Sequence, residues 1–347
     1  MSDSIGTGFN RAQRMMLTLA AFVLVIAGIK SATEILIPFL LALFIAIVVY
    51  PLLVWLRGKG VPTILAILFI LFLIISLGFL VGVMVGSSLT DFSSNLPAYQ
   101  KGLTDKTRDL LQWFDSLGLE ISDQTFIESV NPGAAMRLTS SLLTGMGSLV
   151  GDTFIILVVV VFMLLEAATF GDKLGKVFHS TSPEVDRFRI FIDNINRYMV
   201  IKTWISLGTG VIVSTFLSIL GVDYALLWGL LAFMLNYIPN IGSILAAIPP
   251  VLLALIQIGS GTSIIVAMGF LAINTTIGNF IEPRVMGKGL GLSTLVVFLS
   301  LLFWGWVLGP VGMILSVPLT MSMKIALLSF DETVWLSTLL DSSTAQK

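Results

Sequence analysis

The sequence predicts an all-α polytopic membrane protein with about eight membrane segments and a small helical soluble insertion. Of its 347 residues, 56% are hydrophobic and only 11% are charged, and the mean hydropathy is +1.00. Soluble domains are roughly 45–50% apolar and about one quarter charged. Apolar runs of about 20 residues, the length that spans a bilayer as a helix, recur along the chain. Two further apolar stretches are interrupted by glycine and proline, and they predict broken helical hairpins.

The first half of the chain contains four uncharged or nearly uncharged runs, at residues 15–29, 35–56, 62–86 and 141–165. Each is close to the length that a membrane-spanning helix needs. We therefore expect residues 1–86 to form a membrane scaffold of three spans, and residues 149–165 to lie in a fourth span.

Residues 87–148 separate these spans and have a different composition, with seven acidic residues and only four basic ones. This composition predicts a water-exposed insertion on the extracytoplasmic side. Apolar residues within it recur at spacings of three, four or seven, which is typical of one apolar face of a helix. These residues are Leu96, Tyr99, Leu103, Leu110, Phe114 and Leu117. Such a face is expected to pack on a neighbouring element.

A second polar stretch, residues 166–202, is rich in Lys and Arg. An amphipathic stripe follows Pro183, and it predicts a cytoplasmic linker helix lying at the membrane surface. The stripe contains Val185, Phe188, Ile192, Ile195 and Met199. Because basic residues near short connections favour the cytoplasmic side, we expect both termini, including a tail at residues 329–347, to be cytoplasmic.

Residues 203–328 are predicted to form the transport core. Its two broken segments, residues 224–258 and 292–328, are each too long for one helix and too short for two full spans. They are either re-entrant hairpins or broken single spans. The sequence from Pro239 to Pro249 aligns with that from Pro310 to Pro318 when one-residue gaps flank the matched core. If both segments are re-entrant, the core is an inverted repeat.

The interruptions in these segments are the candidate substrate pathway. Irregular backbone at membrane depth leaves polar groups that protein, water or substrate must pair, and transporters place binding sites at such half-helix ends. The candidate residues are Asn236, Tyr237, Pro239, Asn240, Gly242 and Ser243 in the first segment, and Pro310 and Gly312 in the second. Their neutral polar groups either bind an uncharged, hydroxyl-rich solute or only satisfy the broken backbone.

A charged motif follows the span between the two segments, and its residues Glu282, Pro283, Arg284 and Gly287 are candidates for coupling or gating. A carboxylate at membrane depth is a functional candidate by default. Glu282 could carry a coupling proton, pair with Arg284 or cap the helix. Pro283 favours the end of the span at this point.

The composition also argues against several other functions. The chain has no cysteine and one histidine, which excludes thiolate chemistry and a histidine-based metal cluster. The spans contain no catalytic constellation, no ATP-binding motif and no basic stripe for nucleic acid. We therefore expect neither an enzyme nor a cofactor or metal site.

Four motifs together resemble the autoinducer-2 exporter family: Tyr-Ile-Pro-Asn-Ile-Gly at 237–242, Asn-Phe-Ile-Glu-Pro-Arg-Val-Met-Gly at 279–287, Gly-Leu-Gly-Leu-Ser-Thr-Leu at 289–295 and Gly-Pro-Val-Gly at 309–312. The resemblance implies a homo-oligomer of the bacterial inner membrane that exports autoinducer-2, a small polar signal. Because the sequence has no ATP-binding motif, we expect secondary transport. Other family members are linked to monovalent cation/proton exchange. The alternatives are therefore a cation/proton antiporter and, in another class, a passive channel or membrane scaffold.

Overall fold

A computed structural model describes residues 11–116, 141, 153–177, 183–239, 241–286, 292–328 and 333–340. Over these ranges the chain forms helices and no strands, which confirms the all-α prediction. The helices are α1 (Arg11–Ser31), α2 (Thr33–Gly58), α3 (Thr63–Ser116), α4 (Thr153–Val177), α5 (Pro183–Ile219), α6 (Ala225–Leu235), α7 (Ile241–Gln257), α8 (Ser260–Thr275), a π-helical turn (Thr276–Ile281), α9 (Glu282–Met286), α10 (Thr294–Ile314), α11 (Ser316–Leu328) and α12 (Val334–Leu339).

The helices have the length and surface of a membrane protein. Five helical stretches in the described ranges are long and apolar enough to cross a bilayer: α2, α3, α5, α8 with its continuation to Met286, and α10. The helices α1, α4, α6, α7 and α11 contain shorter apolar stretches, of 10–17 residues each. Large apolar side chains on the outer surface, such as Phe72 at 69% and Phe79 at 72% exposure, would be unfavourable in water. The protein is therefore an all-α polytopic membrane protein.

Helix α3 is much longer than a membrane span. Its 54 residues extend about 80 Å, against a hydrocarbon core of about 30 Å. It continues through residue 86, so the proposed boundary between scaffold and insertion lies inside a helix. Beyond that point Phe92 and Leu103 are buried against α6 and α7, and Leu96 and Tyr99 pack beside them. The side chains of the three remaining predicted face residues lie outside the described part: Leu110, Phe114 and Leu117.

Helix α5 is also continuous, and its 37 residues join the proposed linker to the following span. Two residues of its predicted apolar stripe contact protein. Ile195 and Met199 are 8% and 4% exposed, in a cluster with Val311 and Leu315 of the second broken segment. This part of the α5 face is therefore covered by protein and not by lipid headgroups. The side chains of Val185, Phe188 and Ile192 are outside the described part.

Helices α6 and α7 form the first hairpin, and they enter and leave at the same end of α5. At its mouth the Asp223 N–H donates to Gln257 Oε1 at 3.2 Å, and Gln257 Nε2 donates to the Asp223 carboxylate. At its tip, Tyr237 lies beside Thr203, near the middle of α5. With only 11 residues, α6 extends about 17 Å and is too short to cross the bilayer alone. Both ends of the first broken segment therefore lie at one end of α5, which is the arrangement that a re-entrant hairpin requires.

Helices α10 and α11 form the second hairpin. Its turn lies within α10, which is broken at Gly309, where the φ of 66° favours glycine. Across the hairpin, Trp304 Nε1 donates to Thr320 Oγ1 at 3.0 Å. Near the turn, Lys30 at the end of α1 lies 4.0 Å from the Trp306 ring centroid. This cation–π contact gives Lys30 a partner in the second hairpin.

The two hairpins share a local feature at the glycines that align in sequence. A Cβ at Gly242 would overlap the carbonyl oxygen of Leu235, and a Cβ at Gly312 would overlap that of Trp304. In each case the Cβ of the residue four positions earlier is also a close neighbour. Both tips thus bring two backbone segments together at a point where no side chain fits, which supports the internal repeat.

Candidate transport cavity

A polar cavity of about 150 Å³ lies between the tip of the first hairpin, α5 and the end of α8. It is large enough for several water molecules or a small polar solute. Four of its ten lining residues belong to the sequence-predicted set: Asn236, Pro239, Ser243 and Glu282. The remaining six are Lys202, Ile238, Asn274, Ile277, Gly278 and Asn279. The structure thus brings the first hairpin tip and the charged motif into one site.

An ion pair between Lys202 and Glu282 forms one wall of the cavity. Lys202 Nζ donates to Glu282 Oε1 at 2.7 Å, and the two side chains are 4% and 22% exposed. A charge-assisted bond of this length is among the stronger hydrogen bonds in proteins. Arg284, one of the alternatives considered for Glu282, is exposed on α9 and forms no ion pair with it in the described ranges. The partner comes from a helix that is distant in sequence.

The helix continues past Pro283 as far as Met286. Proline lacks an N–H, and its ring clashes with the carbonyl of the residue four positions earlier, here Asn279. The chain accommodates this with the π-helical turn at Thr276–Ile281 and then continues as α9 to Met286. Such π-turns occur often at functional sites. Here the turn contributes three adjacent residues, Ile277, Gly278 and Asn279, to the cavity wall.

The first hairpin tip is held in place by side-chain hydrogen bonds to α5. Asn236 Nδ2 donates to Ser206 Oγ at 2.9 Å, and the Tyr237 hydroxyl donates to Thr203 Oγ1 at 2.8 Å. Tyr237 is 5% exposed, and its ring packs edge-on against Phe44 at a centroid distance of 5.4 Å. Asn236 therefore has two roles, because it supports the tip and also lines the cavity. Tyr237 supports the tip through its contacts with Thr203 and Phe44, and it does not line the cavity.

Other predicted residues lie away from the cavity. Gly242 is buried at the close approach inside the first tip, while Gly312 and Pro310 belong to the tip of the second hairpin. Pro283 is exposed beside Arg284 on α9. Asn240 and Gly287 lie outside the described residues.

Three polar lining residues were not predicted as site residues: Lys202, Asn274 and Asn279. Asn279 belongs to one of the family motifs. Asn274 precedes Glu282 by eight residues, which places both on the same face of a regular helix. A carboxamide at that spacing in an otherwise apolar span could have indicated Asn274 as a candidate site residue from the sequence. In the described part of the chain, the side chains of Asn274 and Asn279 make no hydrogen bond to protein.

Comparison with known proteins agrees with this architecture. A match to the family described as AI-2E family transporter covers residues 19–331. The AI-2 transport protein TqsA of Escherichia coli K12 is 42% identical over 314 residues, covering 90% of this chain and 91% of TqsA. A Haemophilus influenzae protein is 46% identical over 92% of this chain and 94% of its own length, and E. coli YhhT is 40% identical over 90% and 89%. The chain therefore belongs to the AI-2E family of membrane transporters.

Proposed function

We propose that this transporter exports autoinducer-2, a small polar signal, across the bacterial inner membrane, and that it holds the signal in the cavity beside the first hairpin tip. The observation that carries the proposal is the convergence of neutral polar side chains and one balanced ion pair in a single cavity between the first hairpin tip and two candidate membrane spans. The name of TqsA, with 42% identity, assigns AI-2 transport to that relative. The sequence contains no ATP-binding motif, so we propose secondary transport.

The lining suits an uncharged solute that is rich in hydroxyl groups. A carboxamide offers both donors and an acceptor, and Asn236, Asn274 and Asn279 supply three of them. The negative charge of Glu282 is balanced within the protein by Lys202. A neutral solute can exchange hydrogen bonds with such a wall without bringing an unpaired charge into the membrane.

Export is tested with purified protein in liposomes loaded with autoinducer-2. We expect efflux to exceed that from protein-free liposomes, and Asn274→Ala and Asn279→Ala to lower it several-fold. Asn194→Ala, on the exposed surface of α5, is the matched control and should leave efflux unchanged. Efflux equal to that from protein-free liposomes would reject autoinducer-2 as the substrate.

One observation favours a second candidate, a monovalent cation/proton antiporter. Glu282 places a carboxylate in the cavity, near the end of a candidate membrane span, and carboxylates within membrane spans often serve ion and proton pathways. If the protein exchanges cations for protons through this group, Glu282→Gln must abolish the exchange. Unchanged exchange in that variant would exclude Glu282 from the mechanism. A passive channel or scaffold would instead show flux with no response to an imposed pH gradient, or no flux.

We also propose that both termini are cytoplasmic and that the protein is a homo-oligomer. The first proposal rests on the basic residues near the short connections. The second rests on the family resemblance and is tested by light scattering of the purified protein, which would show a single chain mass if it is wrong.

A further inference from the structure

Lys202 is a buried cation whose hydrogen-bonding capacity is only partly used by the protein. An ammonium group has three N–H donors, and in the described ranges only Glu282 Oε1 accepts from Lys202. The side chain is 4% exposed and lines the cavity. Because buried polar groups are nearly always paired, the remaining donors need acceptors inside the cavity. Lys202 is therefore placed to donate to the oxygen of a bound solute.

The position of Lys202 also determines which charges the cavity can accept. Its ammonium lies 2.7 Å from the Glu282 carboxylate, and the three cavity carboxamides supply further oxygen atoms nearby. Carboxylate and amide oxygens are the ligands that hard cations prefer. A sodium ion bound to these oxygens would have to occupy the position of the Lys202 ammonium group. With Lys202 charged, such an ion would also add an unbalanced positive charge to a buried site.

We propose that Lys202 is a solute-binding residue that sets the charge selectivity of this cavity, because its ammonium substitutes for a cation beside Glu282 and donates to an oxygen of a neutral solute. The inference rests on the proposed function in taking this cavity as the solute site. It predicts a specific gain of function. Removing the ammonium while keeping the carboxylate should convert a neutral-solute site into a monovalent cation site.

The test is the melting temperature of purified protein in NaCl compared with choline chloride at equal ionic strength. Lys202→Met removes the charge with little change in side-chain length. We expect a saturable, sodium-specific rise of about 2 °C or more in this variant, as for a ligand that binds only the folded state. The wild type, Lys202→Arg and the double variant Lys202→Met/Glu282→Gln should show none. Lys202→Arg keeps the charge, and the double variant removes the carboxylate that would bind sodium.

Two results would overturn the inference: a sodium-specific rise in the wild type, or none in monodisperse Lys202→Met. If Lys202→Met does not fold, Lys202→Gln is tested in the same way, and radioactive sodium uptake is measured in wild-type liposomes. Uptake faster than in protein-free liposomes would refute charge exclusion, whereas equal uptake supports it. These assays contain no autoinducer-2. Failure of autoinducer-2 efflux would therefore reject the proposed substrate and leave the role of Lys202 in charge selectivity unaffected.

Discussion

An engineered disulfide between α3 and the first hairpin tests the docking of the long helix. A Cβ built on Gly102 would lie 3.9 Å from Ile256 Cβ and 2.8 Å from Ile256 Cγ2. The first distance falls within the range of about 3.5–4.5 Å for disulfides, and replacing Ile256 by cysteine removes the methyl group that obstructs the site. The natural chain has no cysteine, so Gly102→Cys/Ile256→Cys would contain one possible pair. We expect this bond to form with mild oxidant.

The expected stabilisation follows from the length of chain that the bond closes. A loop of roughly 150 residues corresponds to about 5 kcal/mol of lost unfolded-state entropy. This value is a ceiling, because residual structure in the unfolded chain reduces it. At about 2 °C per kcal/mol for a large chain, the melting temperature should rise by at most about 10 °C on oxidation. Reduction should reverse the rise.

The assay is a mobility shift on non-reducing gels, combined with melting curves with and without reductant. Gly86→Cys/Ile256→Cys is the control, because a Cβ at Gly86 would have no neighbour within 4 Å and this pair should not cross-link. Gly102→Cys alone should destabilise the protein, since its Cβ meets Ile256 in the native packing. If the double variant folds and both thiols accept a maleimide under oxidising conditions, the outer half of α3 is not docked as described.

Three further predictions concern the ion pair, the first hairpin tip and the orientation in the membrane. Lys202→Met and Glu282→Gln should each lower the free energy of unfolding by about 2–4 kcal/mol, because each leaves a largely buried charge unpaired. The double variant should lose less than the sum of the two single losses. A double-mutant cycle based on denaturant unfolding measures this difference. Gly242→Ala should sharply reduce the yield of folded protein, because its Cβ would overlap the Leu235 carbonyl oxygen. Gly78→Ala is the control and should be tolerated, because its Cβ would have no neighbour within 4 Å. Equal yields of the two variants on size-exclusion chromatography would contradict the close backbone approach at Gly242. Met286→Cys should react with an impermeant maleimide only from the cytoplasmic face, and reaction from outside would reverse the proposed orientation.

The global features of this fold could be read from the sequence because composition and apolar run length are local properties. The first tip could also be located, since Pro239 and Gly242 interrupt an otherwise continuous apolar stretch. The alignment of Gly242 with Gly312 identified two positions at which backbone segments meet. These inferences required no knowledge of which helices are neighbours.

The ion pair could not be found in this way, because its partners are 80 residues apart. In sequence, Lys202 resembles any lysine that ends a basic stretch beside a span. Arg284 is closer along the chain, but residues two apart on a helix do not face each other, so this pairing could have been rejected from helix geometry alone. The π-helical turn is a local response to Pro283, although nothing in the sequence showed that the helix would continue beyond it.

The continuity of α3 determines how this protein can be shortened. A deletion that begins at residue 87 would cut the helix in its middle and remove Phe92, whose ring packs edge-on against Trp228 in the first hairpin at a centroid distance of 5.7 Å. Trp228 is fully buried, so the cut would expose the base of the hairpin whose tip lines the cavity. Loss of transport after such a deletion would report damage to the transport core. Deleting only residues 117–148 would keep α3 intact to Ser116. Such a variant would separate the role of this part of the insertion from the integrity of the core.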